Sequence, residues 1–525
     1  MSLARSTALV GLAAAASRVL GFARDVLIAR ALGAGPAADA FLIAFRIPSL
    51  ARRVLGEGGL NAGFVPLYAR LKGEAGPEAA ARFAGKAFSG LALVLLAVVA
   101  LIEVAAGGAV LALAAGYRDD PEIFALAARC TRLAFPFVFS VALAALLSAL
   151  LNAERRFAAA ALAPVAVNAL LIAALLVLQA SGLTPERQAQ WLAAAVSLSG
   201  LLHLATVAAA VRRAGLPIRL GRPRLTPTVR RLLFAGAPAV AASGAAQLMI
   251  VAATEVASFT PSAVSWLYYA DRIFQLPLGF VGSGVGLVLL PDIAARLDHD
   301  RDGVAAAQNR ALEAALLLTM PAAVALLVLA RPIAQVLFER GAFTAQDTAG
   351  TAAALMGLAI GLPFAVAGKV LTQPLFALEK LRPALLALAL GLIITVVAGF
   401  ALSAPFGVLG VALGASLGFA VHAGIVAAAL KAAGLWRPDA RLRRRFLATV
   451  AASAVMGAGL AAANGALPDL STISAIARAG LLAALCLGGL VLYAAAAFAF
   501  RAAARGDLAA FCRPARACAS EKALP

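Results

Sequence analysis

Charged residues interrupt a long apolar stretch between residues 17 and 70 of this chain. They are arginines and carboxylates: Arg18, Arg24, Asp25, Arg30, Asp39, Arg46, Arg52, Arg53 and Glu57. Each charge near the middle of a lipid-facing helix costs about 2.5–3.5 kcal/mol. Helices that carry several such charges are therefore expected to face a polar chamber or one another. The stretch predicts the wall of a water-accessible chamber inside a membrane bundle.

A second charged pair lies in the middle of an apolar segment, WLYYADRIFQLP, in the second half of the chain. With the first stretch, it predicts a chamber that holds more arginines than aspartates. Guanidinium groups stay charged at any working pH and bind phosphate oxygens through paired hydrogen bonds. An anionic or amphiphilic solute is the expected cargo. The candidate site residues are Arg18, Arg24, Asp25, Asp39, Arg52, Arg53, Asp271 and Arg272.

Helical spacing divides these charges by face. Arg18 and Asp25 are seven residues apart, so about two turns bring them to one face. Arg24 lies about 100° round the helix, so it need not share their partner. Pro48 and the segment 56–59 interrupt the second helix, and a broken helix frees backbone groups that must face a cavity or protein.

Other polar residues predict no separate site. Glu103 and Glu255 lie near predicted outer ends of helices and are expected to be solvated, with proton or cation binding as the alternative. The 4 cysteines and 3 histidines are scattered, so the sequence predicts no disulfide framework and no metal site.

Composition indicates the fold class. The chain has 525 residues, of which 63% are hydrophobic and 13% charged, whereas soluble domains carry about 25% charged residues. Apolar segments of about 20 residues recur throughout, which predicts an all-α, polytopic membrane protein. The net charge is +20, and most lysines and arginines lie in alternate loops. This is the distribution that the positive-inside rule predicts for a membrane protein, and it argues against nucleic-acid binding.

Fourteen transmembrane helices are predicted, an even number that places both termini on one side of the membrane. The spans are 6–32, 36–69, 86–114, 123–151, 158–181, 190–211, 232–258, 263–293, 311–337, 347–373, 383–403, 407–431, 446–464 and 473–500. The loops with most arginine and lysine lie on the side of the termini, which is therefore predicted to be cytoplasmic.

Internal similarity suggests two lobes. AFLIAFRIP followed by FVPLYARL in the first half resembles SWLYYADRIFQLP followed by LLPDIAARL in the second, although chance similarity in an Ala/Leu-rich chain is the alternative. The predicted divisions are an N-terminal lobe of six spans (1–215), a basic cytoplasmic linker (216–231), a C-terminal lobe of six spans (232–435), an accessory helix pair (446–500) and a basic cytoplasmic tail (501–525).

Long motifs, in order over most of the chain, resemble the MurJ (MviN) lipid II flippases of the multidrug/oligosaccharidyl-lipid/polysaccharide exporter superfamily. They are SRVLGFARD, GAGPAADAFLIAFRIPSLARR, GEGGLNAGFVPLYAR, SAVSWLYYADRIFQLPLG, FERGAFTAQDT and KVLTQPLFALEK. The resemblance implies two six-helix lobes around a central cavity, with two C-terminal helices beside a lipid-tail groove. It implies that undecaprenyl-diphosphate-linked peptidoglycan precursor moves from the inner to the outer leaflet of the bacterial cytoplasmic membrane, without an enzymatic reaction.

The family's cavity residues carry over by motif. They are Arg18, Arg24 and Asp25 in SRVLGFARD, Asp39 in ADAF, Arg52 in LARR and Arg272 in YYADR. Gln275 departs from the family pattern, in which an acidic residue can follow the DR pair. The implied partners are the lipid-linked precursor, membrane lipids and cell-wall synthesis proteins. No cofactor is expected, and a coupling ion or the membrane potential is left as the energy source.

Three other functions are weighed on the residues alone. One, a regulatory or scaffold membrane protein, would not need buried arginines. An exporter of polysaccharide lipids or drugs from the same superfamily would share the architecture, but a cationic-drug exporter should have an acidic and aromatic chamber rather than arginines. A membrane enzyme would need an acidic metal cluster or an acid–base constellation on a loop. The acidic segment LDHDRD mixes with arginine and is expected to be a solvated loop.

Overall fold

The computed structural model describes residues 3–54, 60–216, 244–296, 301–378, 380–467 and 473–503. Seventeen α-helices and one 3-10 turn form these ranges. The helices are α1 (Leu3–Leu32), α2 (Pro36–Val54), α3 (Leu60–Val104), α4 (Ala106–Leu111), α5 (Pro121–Ala134), α6 (Pro136–Ala153), α7 (Ala158–Ala180), α8 (Pro185–Arg213), α9 (Ala245–Ala257), α10 (Ala263–Arg296), α11 (Arg301–Val328), α12 (Ala330–Phe338), α13 (Ala345–Ala377), α14 (Leu381–Phe406), α15 (Val408–Ala432), α16 (Ala440–Gly465) and α17 (Ala475–Ala499), and the 3-10 turn is Ala115–Asp119.

The predicted all-α membrane fold is confirmed. Ten helical segments of the described residues are long and apolar enough to cross a membrane. The helices α1, α2 and α10, which carry the candidate site charges, are not among those ten. The number fourteen and the domain boundaries stay predictions. The linker beyond residue 216 and the tail beyond residue 503 lie outside the described residues.

Several predicted spans have other bounds in the structure. The predicted end of the span 36–69 is wrong, because α2 ends at Val54 and α3 runs from Leu60 to Val104. The predicted interruption at 56–59 lies outside the described residues. The expected loop near residue 72 is helical, and the chain instead bends at Gly76, whose φ of 82° lies in the left-handed region that glycine adopts without strain. Pro48 does not interrupt α2, which continues through it.

Prolines set other breaks inside predicted spans. The span 123–151 is divided between α5 and α6, where Pro136 occupies the first turn of α6 and needs no backbone N–H partner. The span 311–337 is divided at Leu329, which separates α11 from α12. Of the span 232–258, the described part begins with α9.

Two groups of helices pack mainly within themselves. In the first half, α1 packs on α7, α3 on α6, and α5 on α8. In the second half, α10, α11 and α15 pack on α13, and α14 packs on α15. The helices α16 and α17 pack on each other, and α16 packs on α11. The halves meet where α2 contacts α10, where α1 contacts α12, and where the 3-10 turn contacts α9.

Small residues bring α14 and α15 close together. Gly410, Gly414 and Gly418 follow one another every four residues of α15 and so share one face. A Cβ atom on Gly414 would lie 2.5 Å from the backbone nitrogen of Gly399 on α14. Close backbone approach of this kind is how helices associate in a membrane, where lipid is as apolar as the side chains.

Candidate functional site

A charged cluster between the two halves begins with Arg24 and Asp25 on α1. Both side chains are buried, and Arg24 donates to Asp25 Oδ1 from Nε at 3.0 Å and from Nη2 at 2.6 Å. Its Nη1 donates to Asn168 Oδ1 of α7 at 3.0 Å. Arg24 therefore pairs with Asp25, whereas Arg18, which the spacing places on the face of Asp25, has no partner among the described residues. The long guanidinium side chain reaches round the helix, and Asp25 pairs with its neighbour in sequence.

The second half contributes Tyr268 and Arg272 of α10 to the same carboxylate. The Tyr268 hydroxyl donates to Asp25 Oδ1 at 3.1 Å, and Arg272 Nε lies 3.4 Å from Asp25 Oδ2. The Arg272 guanidinium also lies 4.5 Å from the centre of the Tyr268 ring. Asp25 is therefore shared by two arginines on different halves, which neutralises part of the positive charge and links α1 to α10.

Arg46 of α2 makes a second link between the halves. Its Nη2 donates to the Ile250 carbonyl at 3.0 Å and to the Thr254 hydroxyl at 2.7 Å, both on α9. Its Nη1 lies 3.9 Å from Asp271 Oδ2, which also accepts a hydrogen bond from Gln275. Gln275 is neutral, unlike the acidic residue that the family can carry there, and its side-chain amide orients the Asp271 carboxylate through this hydrogen bond.

Asp39, at the start of α2, holds the beginning of α10. The carboxylate is buried and accepts from the Ser262 N–H at 3.1 Å, from the Ser265 N–H at 2.8 Å, and from the Ser265 hydroxyl. The first N–H groups of a helix have no partner within that helix, and a negative charge there is favourable. A residue of the first half therefore caps a helix of the second half.

Two candidate arginines carry no such partners. Arg18 is exposed and Arg52 is partly exposed, and no hydrogen bond or ion pair joins either side chain to the described residues. The charge of Arg52 is repelled by Arg24 and Arg272, and attracted by Asp25. The side chain of the predicted Arg53 lies outside the described residues.

Depth along the helices separates the tied charges from the free ones. At about 1.5 Å per residue, Arg24 lies about 12 Å from the end of α1, and Arg46 about 10 Å from Asp39 along α2. By the same measure, Arg18 lies about 21 Å from the end of α1, and Arg52 about 20 Å from Asp39. The free arginines thus form a layer beyond the tied cluster, farther from the end where the halves meet.

The halves are closed at the end that contains residues 33, 115–119, 258–262 and 340–344, which we call the closed end. The Ala342 N–H donates to the Arg30 carbonyl at 2.9 Å, and the Tyr269 hydroxyl donates to the Gly33 carbonyl at 2.9 Å. Gly33 and Gly341 both have φ of 64°, and a Cβ on either would lie within 2.5 Å of a carbonyl oxygen of the other half.

Glu255 also lies at the closed end, and the expectation that it is solvated is wrong. Its Oε1 accepts from the Ala115 N–H of the 3-10 turn at 3.1 Å, and the neighbouring Gly116 N–H donates to the Ser258 hydroxyl at 3.0 Å. Oε2 of Glu255 is buried and has no hydrogen-bond partner in the described part of the chain.

The structure brings together Arg24, Asp25, Asp271 and Arg272 as predicted candidates, with Asp39 at the closed end and Arg18 and Arg52 beyond them. Sequence reasoning missed the neutral partners Asn168, Thr254, Tyr268 and Ser265. An asparagine in the middle of the apolar α7 was the one signal available for them, since buried amides need partners. Within the described ranges, no three His, Cys, Asp or Glu side chains are placed to hold a metal ion.

In comparisons with known proteins, residues 28–479 match the family model described as "Lipid II flippase MurJ". The chain is 44% identical over 364 residues to a probable lipid II flippase MurJ of Rhizobium tropici, which covers 69% of this chain and 68% of the relative.

The fold is similar to two kinds of solved structure. One is a lipid II flippase MurJ in an inward closed conformation, with a TM-score of 0.77, 24% identity and coverage of 94% of this chain and 99% of that one. The other is an inward-facing multidrug resistance MATE family transporter of the MOP superfamily, with a TM-score of 0.63, 17% identity and coverage of 82% and 95%. At these identities, the similarity concerns the fold alone.

Proposed function

Because this chain belongs to the lipid II flippase MurJ family, we propose that it moves lipid II between the leaflets of the bacterial inner membrane. The observation that carries the proposal, beside family membership, is the layer of free arginines, Arg18 and Arg52. The other arginines of the site with described side chains, Arg24, Arg46 and Arg272, are already paired with carboxylates. Free guanidinium groups match the oxygens of a diphosphate. The lipid tail would stay in the bilayer.

Transport would proceed by alternating access. With the termini in the cytoplasm, as the loop charges predict, the closed end faces outward and the free arginines lie toward the cytoplasmic side. The diphosphate would bind Arg18 and Arg52 from that side, and rocking of the halves would expose it outward. Release requires the arginine contacts to weaken in the outward state, since a ligand shifts an equilibrium only through its differential affinity.

The tied charges would serve the rocking rather than the binding. Asp25 forms an ion pair with the other half, and Arg46 and Asp39 form hydrogen bonds with it. These contacts would have to break or rearrange when the closed end opens. This division of roles follows from which guanidinium groups have protein partners. We propose further that cell-wall synthesis proteins receive the exposed lipid II.

A polysaccharide-lipid exporter of the same superfamily is the alternative. The similarity to a multidrug transporter concerns the fold, and a chamber with five arginines and three aspartates does not suit a cationic drug. An exporter of another diphosphate lipid would use the same arginines, so the two activities differ in the sugar that is carried.

The test is lipid II exposure at the outer leaflet of bacteria depleted of their own flippase and supplied with this chain. The intact chain should restore exposure, whereas Arg18→Gln and Arg52→Gln should reduce it at equal membrane levels, because neither change removes a described protein contact. Arg187→Gln, an exposed arginine at the start of α8, is the matched control and should restore exposure fully. Failure of the intact, folded chain would favour the polysaccharide exporter.

A further inference from the structure

The closed end contains a second contact between the halves, separate from the Asp39 contact. It joins the 3-10 turn Ala115–Asp119 of the first half to the last turn of α9 in the second half. Glu255 was considered from the sequence only as a solvated residue or a proton or cation ligand, and no residue of this contact touches the charged cluster by a described hydrogen bond or ion pair.

Two backbone N–H groups of the turn are the donors of this contact. Ala115 donates to Glu255 and Gly116 to Ser258, at 3.1 and 3.0 Å. These N–H groups begin a helical turn and have no partner within it, so acceptors must come from elsewhere. The second half supplies both acceptors, one carboxylate and one hydroxyl, to adjacent residues of the first half.

The backbones also touch at this contact. A Cβ atom on Gly116 would lie 2.5 Å from both the carbonyl carbon and oxygen of Ser258 and 2.6 Å from the Phe259 nitrogen. Those are backbone atoms, which cannot rotate away as a side chain can. The closed arrangement therefore requires glycine at position 116 or a separation of the two halves.

The hydrogen bonding of the two Glu255 carboxylate oxygens favours a contact that can be released. One carboxylate oxygen is satisfied by Ala115, but the other is buried without a partner in the described residues. An unsatisfied buried acceptor is costly, and opening the closed end would let water reach it. Asp39, by contrast, accepts three hydrogen bonds in the closed arrangement and gains little from water.

We propose that Glu255, Ser258 and Gly116 form a latch that positions the two halves in the closed arrangement and must release before the closed end opens. Glu255 and Ser258 are positioning residues, since they act on the gate and not on the cargo. The proposal rests on the proposed function, because it assigns the gate of the same transport cycle.

Distance across the closed end tests the latch directly. Spin labels at Glu186→Cys and Gln346→Cys, two exposed positions on opposite halves, report the closed and open populations in a chain whose native cysteines are replaced. Gly116→Ala should move the distribution to longer distances, because the added methyl cannot fit. Gly108→Ala is the matched control, since nothing lies within 4 Å of its Cβ.

Side-chain variants separate the hydrogen bonds from the steric effect. The double variant Glu255→Ala with Ser258→Ala should lower the ratio of closed to open chains by at least about tenfold, the effect of losing a hydrogen bond to a charged group. Glu255→Gln keeps an oxygen that accepts from Ala115 and should leave the ratio within about threefold of the parent. The double variant also serves if Gly116→Ala does not fold.

Unchanged distances in both Gly116→Ala and the double variant would overturn the latch. That outcome is distinct from failure of the proposed function, because the distances are measured without lipid II. If the parent exposes lipid II and no variant shifts the distances, only the latch is wrong. If the distances shift but the parent exposes no lipid II, the latch stands and the cargo is wrong.

Discussion

At the scale of single residues, the site divides its arginines into two kinds. Arg24, Arg46 and Arg272 are bound by carboxylates, amides and hydroxyls, whereas Arg18 and Arg52 have no described partner. A buried arginine without a counter-charge would be very unfavourable, so the first kind can persist only with its partners. In the proposed function, the second kind binds the diphosphate.

Removing the shared carboxylate should destabilise the protein strongly. Asp25→Asn leaves Arg24 and Arg272 buried without their common counter-charge, and breaking such a pair costs about 3–5 kcal/mol. Asn168→Ala removes one hydrogen bond of Arg24 and should cost less, about 1–3 kcal/mol. Thermal unfolding in detergent measures both, with the exposed Asp119→Asn as control. Equal losses for Asp25→Asn and Asp119→Asn would contradict the shared role.

Sequence reasoning found the charges of the site but not their partners. The arginines stand out because charge is rare in an apolar segment, whereas Tyr268 and Thr254 resemble ordinary helix residues and Asn168 signals only that it needs some partner. Arg24 and Asn168 are separated by 144 residues, and nothing local indicates that they meet. Helical spacing placed Asp25 with Arg18 and did not indicate its pairing with Arg24, because spacing follows the Cα positions and takes no account of the length of the arginine side chain.

At the scale of helices, the length of the apolar segments predicted most helices. The predicted bounds were wrong where the backbone breaks inside such a segment. The predicted span 158–181 agrees with α7 to within one residue, since nothing interrupts it. The span 36–69 failed at its end, because α2 ends at Val54 and a separate helix, α3, runs from Leu60 to Val104. Membrane helices tolerate proline where neighbouring groups satisfy the freed backbone carbonyl, and α2 continues through Pro48.

Helix contact through glycine gives a direct test at this scale. Gly414→Ala places a methyl 2.5 Å from the backbone of α14, and we expect a loss of about 1–3 kcal/mol in unfolding free energy. Gly424→Ala, on the same helix with open space around it, should be neutral or stabilising by up to about 1 kcal/mol. Equal stability of the two variants would show that the close approach of α14 and α15 is unimportant.

The start of α16 should respond to pH. Asp439 accepts from the Leu442 N–H at 2.6 Å and pairs with Arg310 of α11. Although partial burial raises the pKa of Asp439, the Leu442 hydrogen bond and the Arg310 charge together hold it below its ordinary value. The stabilisation is therefore present above about pH 4 and is lost as the pH falls below it.

Amide hydrogen exchange in the first turn of α16 measures this effect. Exchange should accelerate as the pH is lowered through the range below about 4, after correction for the intrinsic pH dependence of exchange. Asp439→Asn keeps an oxygen for the cap but loses the charge, so its exchange should depend less on pH in that range. Identical pH profiles of the two chains would contradict a contribution from the Arg310 pair.

At the scale of the whole molecule, contact between the halves is concentrated toward the closed end. Arg30, Gly33 and Asp39 of the first half meet Ala342, Tyr269 and Ser265 of the second, respectively. The excess of arginines lies beyond these contacts. In the proposed function, a chamber with this excess of positive charge would open to one side at a time and would be subject to the membrane potential when it reorients.

We therefore expect transport to depend on the potential. Moving one charge through the full field is worth about 2.3 kcal/mol per 100 mV, so an inside-negative potential should favour the return of the empty, positive chamber. In vesicles with a potassium gradient and valinomycin, flipping over many turnovers should slow when the potential is dissipated. Arg52→Gln, with one charge fewer, should show a weaker dependence in its residual flipping. Equal rates with and without the potential would remove this driving force.

The adjacency of Arg24 and Asp25 has a consequence for biogenesis. Asn168, the other partner of Arg24, is synthesised 144 residues later, which takes roughly 7–30 s at roughly 5–20 residues per second. Because its counter-charge is the next residue, α1 can enter the bilayer during that interval as a paired charge rather than a bare cation. An Asp25→Asn chain should consequently insert α1 less efficiently during translation than an Asn168→Ala chain, as glycosylation mapping of the nascent protein would measure.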